Sequence, residues 1–221
     1  MKVEKELIIR QLGLADYERT WTAMRAFTDA RASTTPDELW LVEHPPVYTM
    51  GLKGRNGTTT AIGGIPLVYT DRGGDITYHG PGQAVLYALI DIGRLGIGIK
   101  TLVHSLEQAM LDYLSERGIG AQRRPGAPGV YVGERKIGSL GLRVRRTHSY
   151  HGLSFNVDMD LEPFGRIDPC GYRGMQVTQL ADLLSDKPVN VGTHLAHRLA
   201  SLLGYNAPVI VSSPQPAAGV A

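Results

Sequence analysis

A chain of 221 residues, 43% hydrophobic and 20% charged, has the composition of a folded globular protein, and its length suits a single domain. Its formal net charge of +2 gives no basis for nucleic-acid binding, no apolar run is long enough to cross a bilayer, and one cysteine cannot form an internal disulfide. We therefore expect a cytoplasmic protein that binds neither nucleic acid nor membrane.

The first half of the chain predicts four strands and one helix. Strand-like apolar runs occupy residues 6–12, 38–43, 67–70 and 85–90. Between the first two runs, Tyr17, Trp21, Met24 and Phe27 recur at spacings of three and four residues, which is typical of the buried stripe of a helix. Two glycine-rich segments interrupt the strands, a basic loop at 51–57 and a turn-rich stretch at 72–83.

The second half predicts two longer helices around a group of short strands. A stripe from Leu102 to Tyr113 indicates a helix that ends near Gly118, and the last helix should run from 191 to 203 and end at Gly204. Residues 129–157 predict short strands with a hairpin at Gly133-Glu134, and Thr178 is expected to cap a short helix through Leu184. Because strands and helices do not alternate strictly, we expect an α/β (α+β) fold with a mixed sheet and packed helices. Residues 1–208 should form its one domain and 209–221 a mobile tail.

The single thiol lies in an unusual setting. Pro169 and Gly171 flank Cys170, in a stretch without helix or strand periodicity, and Arg166 and Arg173 lie close in sequence. Proline and glycine favour a loop, where a side chain is presented rather than packed. The alternative is ordinary burial, because free cysteine is among the most buried residue types. A reactive thiol would need a nearby cation to lower its pKa.

Lys136 is a candidate for that cation. It lies between the predicted hairpin turn and the strand-like run 137–141, in a segment that reads as partly buried, and a buried lysine requires a reason. Its alternative is a solvated surface charge. Sequence spacing alone does not bring it to Cys170.

The segment 72–83 combines glycines with polar side chains. Glycine lets a ligand approach the backbone, and free N–H groups can hold a carbonyl or an oxyanion. His79 could donate a hydrogen bond to a thioester oxygen or position an acyl group, although a structural hydrogen bond is the commoner use of a lone histidine. The pairs His148/His151 and His194/His197 lack a third ligand of recognisable pattern, so no metal site is expected, and the second pair should face solvent on a helix.

Five segments in order resemble the signatures of the lipoyl(octanoyl) transferases of lipoate synthesis. They are RGGDITYHGPGQ at 72–83, GVYV at 129–132, KIGSLG at 136–141, HGLSFN at 151–156 and DPCG at 168–171. Each segment alone is weakly specific, whereas the ordered set covers most of the chain and is highly specific. The resemblance implies the fold shared by the catalytic domains of biotin and lipoate protein ligases.

The resemblance also implies site residues. Cys170 and Lys136 match the family's catalytic pair. The family's acyl-binding segments fall on Arg72, Gly73, Gly74, Asp75, Ile76, Thr77, Tyr78, His79, Ser139, Leu140, Gly141, Gly152, Leu153 and Ser154.

The implied reaction is a two-step acyl transfer. Cys170 would take the octanoyl group from octanoyl-acyl carrier protein, and a specific lysine of an acceptor would receive it. The implied acceptors are the lipoyl domains of 2-oxoacid dehydrogenases and the glycine-cleavage H protein. No cofactor is implied, because a thioester already carries the activated acyl group. Arg143, Arg145 and Arg146 offer a basic patch for an acidic carrier, or are a solvated strand edge.

Two rival functions remain. An ATP-dependent lipoate or biotin ligase of the same fold would use 51–57 as a phosphate loop, with Lys53 and Arg55, but the P-loop spacing is absent and a ligase needs no nucleophilic thiol. A non-catalytic domain that binds acyl groups or docks a carrier would need neither Cys170 nor Lys136.

Overall fold

The computed structural model describes residues 6–54, 57–167 and 176–212. Its strands are β1 (Leu7–Leu14), β2 (Asp37–Glu43), β3 (Val47–Met50), β4 (Ala61–Ile62), β5 (Ile65–Tyr69), β6 (Ile76–His79), β7 (Gln83–Leu89), β8 (Val130–Val132), β9 (Arg135–Arg145), β10 (His148–Asn156) and β11 (Val209–Ser212). Its helices are α1 (Tyr17–Ala30), α2 (Ile92–Leu95), α3 (Ile99–Ser115) and α4 (Val191–Leu202). In the part of the chain described here, no helix is both long and apolar enough to cross a membrane.

The main sheet has seven strands in the order β11-β1-β2-β7-β10-β9-β8. β1 pairs in parallel with β11 and β2, and the remaining pairs are antiparallel, so the sheet is mixed. A second sheet has the order β4-β5-β3-β6. The predicted class, a mixed sheet with packed helices, is confirmed.

Helices cover both faces of the main sheet. On β2, Leu39 and Leu41 face a core that includes Leu106 of α3 and Leu195 of α4, whereas Trp40 faces a second core with Met24 of α1. This alternation follows from the two-residue period of a strand, and it explains why β2 reads as continuously apolar. A third core, around Tyr48 and Phe164, lies under the second sheet.

The strand β6 lies in the segment that the sequence analysis describes as turns. Its residues pair with β3, with Tyr78 opposite Tyr48. The glycines on both sides hide a strand of only four residues, because the turn signal dominates so short a window.

Two predicted boundaries differ from the structure. The short helix after Thr178 is a 3₁₀ turn at Leu180–Asp182 whose N-cap is Gln179. Thr178 does not cap it; its backbone N–H donates to the Lys136 carbonyl on β9. Residues 209–212, placed at the start of the tail, form β11 against β1. This edge strand is mostly exposed, so it lacks the alternation by which a strand is recognised. Residues 213–221 lie outside the described part.

Candidate functional site

Lys136 is buried on β9, with 7% of its surface exposed. Its side chain passes over Gly129, where a Cβ would lie 2.5 Å from Lys136 Cε and 3.2 Å from Nζ. The ammonium lies 5.5 Å from the centre of the Tyr131 ring, which is a cation–π distance. The predicted partial burial of this strand is therefore present.

The main chain of Lys136 is fixed by the segment 176–178. Its N–H donates to the Gln176 carbonyl at 2.9 Å, and its carbonyl accepts from the Thr178 N–H at 3.0 Å. Cys170, the other half of the predicted pair, belongs to residues 168–175, which lie outside the described part. Its distance from Lys136 stays a prediction.

The loop 72–75 is held by a buried guanidinium. Arg72 donates through Nη2 to the carbonyls of Thr49 and Asp75, both at 2.6 Å, and through Nε to Thr49 Oγ1 at 3.0 Å. The Gly73 N–H donates to the Leu142 carbonyl on β9 at 2.9 Å. A Cβ at Gly141 would lie 3.0 Å from the Gly73 carbonyl, so any other residue here would push the loop away from the strand by a few tenths of an ångström.

A cavity of about 470 Å³ lies between this loop and the strand pair β9–β10. Lys136 lines it, together with every predicted acyl-binding residue except Tyr78: Arg72, Gly73, Gly74, Asp75, Ile76, Thr77, His79, Ser139, Leu140, Gly141, Gly152, Leu153 and Ser154. Three segments that are far apart in sequence therefore meet at one surface.

Tyr78 points away from the cavity, because successive residues of β6 face opposite sides. Its ring contacts those of Tyr48 and Phe164, at centroid distances of 5.4 and 5.5 Å. We assign Tyr78 to the core under the second sheet rather than to the cavity lining.

His79 is buried and neutral. Burial, with the nearby His44 ring, lowers the pKa of His79 to about 3. Its Nδ1 lies 2.7 Å from Gln83 Oε1, which can only accept, so Nδ1 carries the hydrogen and Nε2 is a bare acceptor. The expected donation from His79 to a thioester oxygen therefore does not fit this structure, whereas a positioning role does.

An Asp71–His151 pair also lies at the cavity, and the sequence analysis did not propose it as a site. His151 lines the cavity and its Nε2 lies 3.0 Å from Asp71 Oδ1. Burial lowers the pKa of His151, while the hydrogen bond to Asp71 opposes that change. Burial alone would raise the pKa of Asp71, but hydrogen bonds from His151, Tyr150 and Trp21 hold it well below its usual range. His151 is the first residue of the quoted motif 151–156 and Asp71 directly precedes the motif 72–83, and these positions were the available signal.

The basic loop 51–57 is bound to the Arg72 loop. The N–H groups of Leu52 and Lys53 donate to the carbonyls of Arg72 and Gly74, at 3.1 and 3.2 Å. Those N–H groups are thus already used and cannot cradle a phosphate in this conformation. Lys53 lines the cavity, and Arg55 lies outside the described part.

The other charged candidates lie at the surface. His194 and His197 are exposed on α4, as expected, and the described residues contain no cluster of three potential metal ligands. Arg143, Arg145 and Arg146 are exposed at the end of β9, where Arg145 pairs with Asp29 at 2.7 Å.

Solved structures share this architecture. A lipoate-protein ligase A bound with ATP superposes with a TM-score of 0.75 at 15% identity, over 96% of this chain and 91% of that chain. A chain from an archaeal lipoylation system of Thermoplasma acidophilum gives 0.69 at 17% identity, over 96% and 88%. At such identities the likeness establishes the fold, which is that of a lipoate-ligase catalytic domain.

Sequence relatives define the family more narrowly. The model of the lipoyl protein ligase A/B catalytic domain matches residues 16–197, so the chain belongs to that family. An octanoyltransferase of Aromatoleum aromaticum is 56% identical over 89% of this chain and 86% of its own length. Octanoyltransferases of Laribacter hongkongensis and Marinomonas sp. are 55% and 51% identical, over 87% and 94% of this chain and 95% and 98% of their own. The family predicted from the ordered motifs is confirmed.

Proposed function

We propose that this protein is an octanoyltransferase that acts through a thioester on Cys170. The donor is octanoyl-acyl carrier protein, and the acceptor is a lysine of a lipoyl domain of a 2-oxoacid dehydrogenase or of the glycine-cleavage H protein. One observation carries the proposal: Lys136 and the three predicted acyl-binding segments line a single cavity. The names of the relatives support the acyl group chosen.

The cavity suits a medium-length acyl chain. Its volume of about 470 Å³ falls within the roughly 300–1,000 Å³ of small-molecule sites. Leu140, Leu153 and Val85 supply apolar lining, and Lys136 lies beyond Ser139 along β9. We place the thioester carbonyl at Lys136 and the alkyl chain along β9 and β10.

Chain connectivity supports a thiol near Lys136. Cys170 follows Ile167 by three residues and precedes Gln176 by six, so it lies within about 11 Å and about 22 Å of them respectively. Phe164 and Val177, just outside the undescribed residues, both line the cavity. A residue near each end of this connection thus lies at the site.

The first half-reaction is a thioester exchange. The Cys170 thiolate attacks the octanoyl carbonyl, the carbonyl–sulfur bond to the carrier breaks, and the carrier thiolate takes a proton from the Lys136 ammonium. Before this step, the ammonium favours the thiolate form of Cys170. One thioester replaces another, so the step needs no ATP.

The second half-reaction forms an amide. The neutral ε-amine of the acceptor lysine attacks the octanoyl carbonyl, and the bond to Cys170 Sγ breaks. The amine gives a proton to the neutral Lys136, which restores the ammonium–thiolate pair. The proposal places this cycle in the cytoplasm, where the lone thiol stays reduced.

The test is a rapid quench with octanoyl-acyl carrier protein in the absence of acceptor and ATP. The protein should gain one octanoyl group on Cys170, neutral hydroxylamine should remove it, and an apo lipoyl domain should discharge it. Unmodified protein in every quench, with transfer at full rate, would show that Cys170 is not the carrier. Labelling that requires ATP and free octanoate would establish the ligase instead.

A further inference from the structure

Behind the cavity, buried polar groups form a chain of hydrogen bonds that runs in one direction. Arg72 Nε donates to Thr49 Oγ1 at 3.0 Å, and Thr49 Oγ1 lies 3.5 Å from His79 Nε2. His79 Nδ1 lies 2.7 Å from Gln83 Oε1. This series of hydrogen bonds therefore starts at the loop 72–75, on one side of the cavity.

Two amides carry the chain across the main sheet. Gln83 Nε2 donates to Asn156 Oδ1 at 3.0 Å and to the Tyr78 carbonyl at 3.2 Å. Asn156 Nδ2 donates to the Thr178 carbonyl at 3.0 Å. Gln83 and Asn156 are also opposite each other in the β7–β10 register, so the sheet itself brings the two side chains together.

This series of hydrogen bonds ends on β9, the strand that carries Lys136. The Thr178 N–H donates to the Lys136 carbonyl at 3.0 Å, and the Lys136 N–H donates to Gln176. Gln83, Asn156, Thr178 and Lys136 are each at most 7% exposed. Buried groups that are hydrogen-bonded in this way have little freedom to shift, since breaking one bond leaves an unsatisfied polar group.

Along this series of hydrogen bonds, each donor and acceptor assignment is consistent with the next. Backbone carbonyls at Tyr78 and Thr178 can only accept, which fixes the NH₂ ends of both amides toward them. With its NH₂ group so placed, Gln83 presents Oε1 to His79, and the hydrogen of the neutral imidazole must be on Nδ1. The ring of His79 and the backbone carbonyl of Lys136 are thus connected through the same two amides.

We infer that Gln83 and Asn156 are positioning residues, which hold His79 and Lys136 in fixed relation across the cavity. The inference rests on the proposed function, because it assigns the two amides to the acyl-transfer geometry. Neither amide needs to touch the substrate. They act through His79 on one side and through Thr178 on the other.

The variants are Gln83→Met and Asn156→Leu, which replace each amide by an apolar chain of similar size, and the double variant. Ser149→Ala is the matched control. Ser149 is a buried residue of β10, the strand that carries Asn156, and its hydroxyl donates to the Ala88 carbonyl at 2.7 Å. Its hydrogen bonds are not part of the series that connects His79 to Lys136. The four variants and the wild-type protein are compared at full length, after urea unfolding has shown that each is folded.

Each single variant should lower kcat for octanoyl transfer by about 10- to 100-fold, because a misplacement near 1 Å costs that much, with KM for the donor changed less than about threefold. The double variant should be no slower than the slower single variant, since both interrupt one chain. In Asn156→Leu, the amides of Thr178 and Lys136 should exchange hydrogen at least about tenfold faster than in wild type. Ser149→Ala should change neither kcat nor that exchange.

Multiplicative losses in the double variant, unchanged exchange at Thr178 and Lys136, or an equal loss in Ser149→Ala would each overturn the inference. Failure of the proposed function gives a different result. In that case wild-type protein forms no acyl-enzyme at all, whereas the exchange measurement still reports whether Asn156 holds the strand of Lys136.

Discussion

Gly129 and Lys136 lie in direct contact: a Cβ at 129 would lie 2.5 Å from Lys136 Cε and equally close to the backbone carbonyl oxygen of Gly138. Gly129 has a φ of 135°, which L side chains rarely adopt, and its N–H donates to Glu107 Oε1 at 3.0 Å. The glycine thus decides where the ammonium can lie, and the tightness of this contact makes the lysine position testable by substitution.

Gly129→Ala should displace the Lys136 ammonium and lower octanoyl transfer by about 100-fold, a loss expected of a shift near 1 Å. Backbone strain should also lower the free energy of unfolding by about 1–3 kcal/mol. Gly204→Ala is the control, since Gly204 has a φ of 78° and open space around its Cα but does not line the cavity. Steady-state kinetics and urea unfolding of both variants measure the two effects. Equal losses of activity in the two variants would mean that strain, not the displaced lysine, is responsible.

Lys136→Ala should slow alkylation of Cys170 by iodoacetamide at neutral pH and move the alkylation profile to higher pH, because a nearby cation favours the thiolate. Lys136→Arg should keep much of the thiolate but not restore transfer, since arginine cannot exchange a proton near neutral pH. The rate of alkylation between pH 6 and 9 is the measurement. A profile that is the same in all three proteins would remove Lys136 as the activating group.

Arg72→Lys should lower the free energy of unfolding by about 2–4 kcal/mol, because an ammonium cannot reach the two Thr49 oxygens and the Asp75 carbonyl at once. Transfer should fall as well, since the loop 72–75 forms one wall of the cavity. Arg25→Lys on the exposed face of α1 serves as the matched control and should change stability by less than about 0.5 kcal/mol. If Arg72→Lys is as stable as that control, the guanidinium does not hold the loop.

Neutralising Arg143, Arg145 and Arg146 together should weaken use of the carrier-bound donor more than use of a small octanoyl thioester. Exposed charges act mainly on encounter, so the defect should shrink as salt rises. The comparison is kcat/KM for both donors at low and high ionic strength. A defect of the same size with both donors at every salt concentration would indicate damage to the cavity rather than to docking.

Stability should fall as pH drops from about 7 to 5. Burial lowers the pKa of His44 to about 4 and that of His79 to about 3, both below the ordinary 6.5, so the unfolded chain binds protons first and stability is lost on acidification. Each of these histidines should lower the free energy of unfolding by about 2 kcal/mol between pH 7 and pH 5. Urea unfolding at pH 7, 6 and 5 measures the slope, which should become shallower in His44→Gln. The exposed His197→Gln is the control and should leave it unchanged.

The sequence by itself determined the family and the local elements. Strong periodicity predicted β1, α1, β2, α3 and α4, because each buries one regular face or a continuous apolar run. The ordered motifs identified the family before any geometry was known, because the types, spacing and order of the motif residues can be read directly from the sequence.

Tertiary structure decided how those residues meet. The short strand β6 exists only because β3 pairs with it, and that pairing turns Tyr78 away from the cavity while His79 lines it. The sequence could not show which ring nitrogen of the neutral His79 carries the hydrogen either. Its position follows from the orientation of Gln83, which depends on Asn156 and Thr178, 73 and 95 residues further along the chain. Contacts between such distant residues leave no periodic pattern in the sequence, so they can be identified only in the folded structure.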